Sequence, residues 1–378
     1  MICDTYREPS IKDLEHSRRS ADDSMYSITG PSQQRPKNWQ KALQSSRFKT
    51  ALVKFLVQEW SIHADPEVLK GHDVFLAVED VCHHYMVQNG QVIHDEVPAL
   101  AASHEEADTR IVFHLSSLPR NEEKPSVVVR CSDTDVLVLL LHHVSVMDEP
   151  PLVWMDTGLS SNNTRRFINV TQLVNHLDAE VLDALPALHA FTGTDFTAAF
   201  MNKGKVRPYE IMLKSQQFTK AFAKLGRNGE VSEATLQDIE KFTCTLYGLP
   251  KLTKVDDVRL ALFEKKYSPK QSEQQPLDKI RGINPNNMPP CHSVLSNKIK
   301  RANYVTHIWK NASKRSPCEL QPEEHGWLLK EGMLKMNWFD GDQLPENILN
   351  IVTDCDLDDE ADESPSYSSD ESDSDDEY

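Results

Sequence analysis

The sequence predicts an α/β fold with three layers and a mostly parallel central sheet, followed by a helical extension and a disordered acidic tail. Three observations predict it. Two apolar runs of strand length, "SVVVRC" at 126–131 and "PLVWMDT" at 151–157, stand out; the first lacks the alternation of a half-exposed strand and suits a sheet covered on both faces. Segments of helical period lie between and beyond these runs, the order expected of α/β domains. Residues 354–378 hold thirteen acids and no Lys or Arg, too little apolar surface to offset the entropy of folding.

Each element follows from local pattern. Residues 1–6, "MICDTY", read as the end of a strand, and 10–20, "SIKDLEHSRRS", as a helix with a basic end. Residues 38–60 have helical spacing, with Leu52, Phe55, Leu56 and Trp60 on one face. The run 72–96 reads as a hairpin about Asn89-Gly90, the type I′ signal. Residues 103–118 read as a helix with Ser103 as N-cap and Glu106 completing a capping box. The helix 134–144 follows the strand 126–131, and 170–191 is mostly helical. Residues 194–218 read as helix, glycine-containing turn, helix. Beyond a linker-like stretch at 266–290, a helix returns over 293–314. Three regions result: 1–225, a mainly helical extension 226–350, and a tail 351–378.

Composition narrows the function. Apolar residues make up 39% of the chain, enough for a sizeable core. No 18-residue apolar stretch offers a membrane span, and no secretory leader is visible. Seven cysteines without a C-x-x-C pair argue for a reducing nuclear or cytoplasmic setting, not a secreted one, and against a cysteine-built zinc site. The adjacent pairs His83-His84, His142-His143 and Cys291-His292 diverge on any regular element, so they do not suggest zinc. The net charge of −17 comes largely from the tail, whereas 203–224 carries six basic residues against one acid. A nucleic-acid partner therefore remains open. The tail reads as a solvated end, as a competitor for basic surfaces, or as a kinase target at Ser369, Ser372 or Ser374.

The acids carry the chemistry. "RCSDTDVLVLLLHH" places Asp133 and Asp135 between two apolar elements. A cap explains one of them; it does not explain the second. Asp4, the Glu105–Glu106–Asp108 group and Asp195 occupy similar strand-end or helix-start positions, and each alone also suits a cap. Carboxylates that cluster repel unless cations lie between them, and oxygen-only donors suit Mg²⁺ or Mn²⁺.

The order of these motifs resembles the flap-endonuclease type of 5′-nuclease in the PIN-like superfamily. "ICDTYREPSIKDLEHSRR", "EADTR", "SDTDVL" and "FTGTDFTAAFMNKGKVRPYEIM" match, in order, its strand-end Asp with a basic helix, its acidic helix start, its D-x-D and its G-x-D-Y segment. The likeness spans roughly residues 1–215. It implies a three-layer PIN-like domain over 1–225, with a helix–two-turn–helix near 194–218 that grips duplex backbone. It implies two Mg²⁺ or Mn²⁺ ions held by Asp4, Glu106, Asp108, Asp133, Asp135 and Asp195, and phosphodiester hydrolysis in branched or flap DNA, or in RNA. It implies Lys12 and Arg18 as catalytic residues steering the scissile phosphate, and Arg19, Lys203, Lys205 and Arg207 as nucleic-acid contacts. Trp39 and Trp60 are read as stacking on a base or as core.

Departures accompany the likeness. The family's first strand and its Asp have no counterpart before Asp4, so the chain is either truncated or lacks one ligand. Asp108 replaces a Glu and Phe196 a Tyr. On a regular helix Glu106 and Asp108 point roughly 200° apart, so both reach one site only if the first turn is irregular. Two other readings stay open: a catalytically inactive PIN-like module that binds nucleic acid or protein, and a haloacid-dehalogenase-type phosphatase with Asp133 as nucleophile and Asp135 as acid.

Overall fold

The computed structural model describes residues 1–12, 27–69, 71–119, 125–266 and 284–341. Residues Met1–Trp338 make one compact unit and Phe339–Tyr378 another; every named strand and helix belongs to the first. Most of the expected basic helix, with Arg18 and Arg19, lies outside the described residues, as do 267–283 of the linker and the acidic tail.

The chain is a mixed α/β protein with many helices and several small sheets. After α1 (Trp39–Ala42), α2 (Ser46–His63) and α3 (Pro66–Leu69) comes an antiparallel meander of β1 (Val74–Val78), β2 (Val81–Gln88) and β3 (Gln91–Glu96). Asn89 and Gly90 take φ of 53° and 74°, as a type I′ turn requires. The run 72–96 holds two hairpins, not one. The second turns at Glu79–Asp80 with Glu79 at φ 49°, a conformation an acid adopts without any glycine signal. Ile2 pairs in parallel with Ala77, so the expected strand end at 1–6 is a short bridge beside β1.

The helix expected over 38–60 is broken at Ser45, whose side chain caps α2 by accepting from the Phe48 N–H. In α2 Phe48 alone is buried; Val53, Val57 and Trp60 pack half-buried against the meander, and Leu52, Phe55 and Leu56 are half-buried as well. Trp60 meets Tyr85 edge-on at 5.9 Å and Trp39 meets Phe48 at 5.4 Å; both indoles pack within the chain.

After α4 (Ala107–Ser116), β4 (Ser126–Arg130) hands over to α5 (Thr134–Val146) and then to β5 (Leu152–Thr157). β4 and β5 run parallel, and β6 (Arg166–Asn169) returns antiparallel to β5. Val129, Val153 and Met155 pack on α5 through Val136, Leu140 and Val144. On the other face Val128 is 56% and Phe167 55% exposed. The sheets are therefore small and mixed, and β4 is covered on one face, not both. An unbroken valine run permits burial of both faces; only a packed second layer brings it about.

The helical body is built around α7 (Ala179–Thr192), which comes after α6 (Val170–His176). Ala184, Ala187 and Ala190 are fully buried, and their small side chains let α7 pack closely against α5, α9 (Gln216–Lys224) and α12 (His292–Lys310). Phe191, Phe222 and Phe242, the last on α10 (Glu233–Leu246), form an aromatic centre with centroids 4.9–6.2 Å apart. This core takes in residues on both sides of position 225. α11 (Val255–Lys266) and a hairpin of β7 (Trp327–Lys330) and β8 (Met333–Met336) complete the unit; that hairpin lies in the part expected to be mainly helical.

The segment 194–205 is not helical, which corrects the expected helix–turn–helix over 194–218. The two helices are α8 (Val206–Leu213) and α9. Pro208 is the third residue of α8, where its missing N–H leaves no ladder bond unmade. Gly193 closes α7 at φ 122°, and a Cβ there would stand 2.7 Å from Ala199 Cα. That turn therefore requires glycine.

Candidate metal centre

Four segments far apart in sequence meet at one place: the N-terminal stretch, the start of α4, the β4–α5 junction and the loop after α7. Asp4 lies just beyond the bridge to β1, and its Oδ1 accepts the Ala107 N–H at 2.9 Å. It thus caps α4 from a distant segment. The neighbouring Thr5 N–H donates to Glu105 O at 2.7 Å, locking the two segments together.

Because Asp4 supplies this cap, α4 begins at Ala107, not near Ser103, and the expected capping box does not form. The Ser103 hydroxyl and N–H both donate to Arg315 O, at 3.3 and 2.8 Å. Glu106 sits before the helix with extended backbone, φ −101° and ψ 140°. The 200° separation therefore does not apply to Glu106 and Asp108. Glu106 thus lies outside the first turn, with its carboxylate against the Lys12 ammonium. Glu105 instead accepts from the Ser10 hydroxyl.

Asp133 caps α5, its Oδ1 accepting the Asp135 N–H at 3.0 Å. The cap reading of Asp133 thus holds, yet it occupies one oxygen of one carboxylate. The Asp135 side chain points elsewhere, with its Oδ1 accepting from His189 Nε2–H at 2.7 Å. Sequence reasoning missed His189. Its only signal is an imidazole in the otherwise apolar run "ALPALHAF", which more often marks a satisfied core residue.

The electrostatics tie the acids together. Burial pushes the Asp108 carboxyl up to about 7, helped by the charges of Asp133, Asp135 and Asp4, while Lys12 opposes. Burial likewise raises Glu106 to about 8, against the pull of Lys12 and with Asp108 and Asp4 adding repulsion. Burial works against the Lys12 charge, but Glu106, Asp4 and Asp195 outweigh it and hold Lys12 above its ordinary value. Its ammonium contacts the Glu106 carboxylate and lies 4.9 Å from the Phe196 ring centroid.

Thus the six acids named from sequence interact as one group, five through mutual repulsion and Asp195 through Lys12. Among the described residues no three His, Cys, Asp or Glu side chains are close enough to form a ready coordination shell. The donors are nonetheless all oxygen, and two carboxyls are held far above their ordinary range by burial and unbalanced charge. That set suits a hard divalent cation in kind and charge, with side-chain rotations needed to bring three oxygens to one point.

The basic candidates are placed differently. Lys205 Nζ donates to His189 O at 3.0 Å and Gly193 O at 2.6 Å, capping the C-terminus of α7 as a cation does well. Burial lowers it to about 8, with Asp135 opposing. Lys203 lies 4.7 Å from the Tyr247 ring centroid. Arg207 is exposed at the start of α8. Arg18 and Arg19 lie outside the described residues.

These shifts set a pH dependence. Asp108 and Glu106 rise from their ordinary 3.8 and 4.5 on folding. The folded chain therefore binds more protons, and their contribution is lost as pH rises from those values through about 7 to 8. Burial holds His104 and His114 at about 4 and His142 at about 3, below the ordinary 6.5, so their contribution is lost as pH falls below 6.5. The three histidines outweigh the two acids below 6.5; above about 7 the acids are opposed by Lys298 and Lys205, which burial lowers to about 7 and about 8, so that the folded chain gains from their deprotonation as pH rises. Without metal, the melting temperature by circular dichroism should therefore rise from pH 4 to pH 6.5. Mn²⁺ should raise it more at pH 8 than at pH 6, because protons no longer compete for the carboxylates.

No helix among the described residues is long and apolar enough to cross a membrane. No protein-family model, curated protein or solved structure matches the chain.

Proposed function

We propose that this chain is a metal-dependent, nuclease-like protein with a PIN-like arrangement of its acids, acting on phosphodiesters of branched or flap DNA, or of RNA. One observation carries the reading. Carboxylates from three separated segments repel one another, with Asp108 repelled by Asp133, Asp135 and Asp4, and Asp195 from a fourth joins them through Lys12. Capping explains where Asp4 and Asp133 sit; it does not explain why the group converges.

Asp4, Asp108, Asp133 and Asp135 would hold Mg²⁺ or Mn²⁺, with Glu106 and Asp195 beside Lys12. Bound ions supply an activated water and charge stabilisation for in-line displacement. Lys12 keeps a positive donor within the acidic group, next to where a phosphate oxygen would lie. Arg207, with the basic stretch 203–224, favours a polyanionic partner, whose affinity then falls with salt.

A second reading, an inactive binding module, is favoured by the Lys12–Glu106 pair and by the lack of a ready three-ligand group among the described residues. Incubation of the full chain with flap and linear duplex DNA separates the two. Cleavage that needs Mg²⁺ or Mn²⁺, prefers the flap and stops with chelator is the expected result. DNA binding without turnover would select the inactive module. Capture of beryllofluoride at Asp133 would select phosphatase chemistry instead.

A further inference from the structure

His189 lies on α7 amid buried apolar neighbours, Leu188, Ala190 and Phe191, and is itself 7% exposed. A polar ring in such a place needs a partner. Its Nε2–H finds one 54 positions away, at Asp135 Oδ1. Asp135 is thereby held twice, by Asp133 Oδ1 at its backbone N–H and by His189 at its side chain.

The bond is not needed to join the two helices. Leu139 of α5 already shares a core with Leu188 of α7, and Val136 and Leu140 share one with Leu182. Nor is the imidazole needed to finish α7, because Lys205 Nζ caps the carbonyls of His189 and Gly193. What the ring adds is direction: it takes up one oxygen of Asp135 and leaves Oδ2 for another partner.

We propose that His189 is a positioning residue of the metal centre, fixing the Asp135 carboxylate through a donated hydrogen bond so that its second oxygen meets the cation. This rests on the metal-dependent reading of the site. Hydrogen bonds behind metal-ligating side chains typically contribute 10–100-fold in metal affinity.

The test uses the full chain, Mn²⁺ titration by calorimetry, and two polar variants of similar chemistry. In His189→Gln the amide nitrogen reaches the position of Nε2 and can donate to Asp135. In His189→Asn it stands nearer the position of Nδ1 and cannot. The expected result is Mn²⁺ affinity close to wild type for His189→Gln and a loss of about 10–100-fold for His189→Asn, with the two metal-free melting temperatures alike. Equal affinity in wild type and His189→Asn would overturn the proposal, and so would equal losses in both variants. No Mn²⁺ uptake by the wild-type chain would instead remove the metal reading itself, and this inference with it.

Discussion

Replacing Asp133 and Asp135 together by Asn is expected to abolish Mn²⁺ binding in calorimetry and to reduce metal-dependent cleavage by about a thousandfold, the rate equivalent of the several kcal/mol a bound metal supplies. The variant separates two roles that coincide at Asp133. Asn caps a helix about as well as Asp, so the bond from the residue 135 N–H to residue 133 survives and α5 stays formed. A role confined to capping predicts an unchanged chain. A role in holding cations predicts lost binding with secondary structure intact, read by far-ultraviolet circular dichroism on the same samples. Removing two like charges beside Asp108 should also bring the Asp108 carboxyl down, since Asp133 and Asp135 both help to raise it.

Replacing Phe191 by Ala is expected to cost about 3–5 kcal/mol of folding free energy. Phe191 has no exposed surface and touches three other rings, Phe200 at 5.2 Å, Phe222 at 5.6 Å and Phe242 at 6.2 Å. The ammonium of Lys298 lies 5.5 Å from its ring centroid. Neighbours from α7, α9, α10 and α12 cannot all close a hole at that point, so the cavity term persists. Urea unfolding should show a lower midpoint with the slope unchanged. Because Phe191 is two positions from His189, the same variant links core packing to the candidate centre: a loosened α7 should also weaken Mn²⁺ binding.

Much of the candidate centre was legible because caps and metal ligands draw on the same residue types at the same places. Asp133 and Asp135 at a strand-to-helix junction and Asp4 after a short strand pairing stand where pattern placed them, whereas Asp195, expected at a turn into a helix, follows the glycine that ends α7 and opens a non-helical segment. The Asn89-Gly90 turn was equally plain, since few residue pairs accept two positive φ values. The Glu79 turn was not, because its positive φ has no residue signature.

Local sequence by itself determined where β4, β5, α5 and the Asn89-Gly90 turn occur, because hydrophobic period, turn chemistry and capping act over a few residues. Only the tertiary structure decided which groups meet. Ser103 had the local signature of a cap, but Asp4 arrived from 103 positions away and took the role, which released Glu106 from the helix. Lys205 was expected from the resemblance to contact nucleic acid, and its ammonium donates to three acceptors at the end of α7. His189 found Asp135 across 54 positions. Each outcome turns on a hydrogen bond or charge pair whose partner is distant in the chain. Such partners leave no trace in local pattern, since packing and desolvation select among them only once the elements have come together.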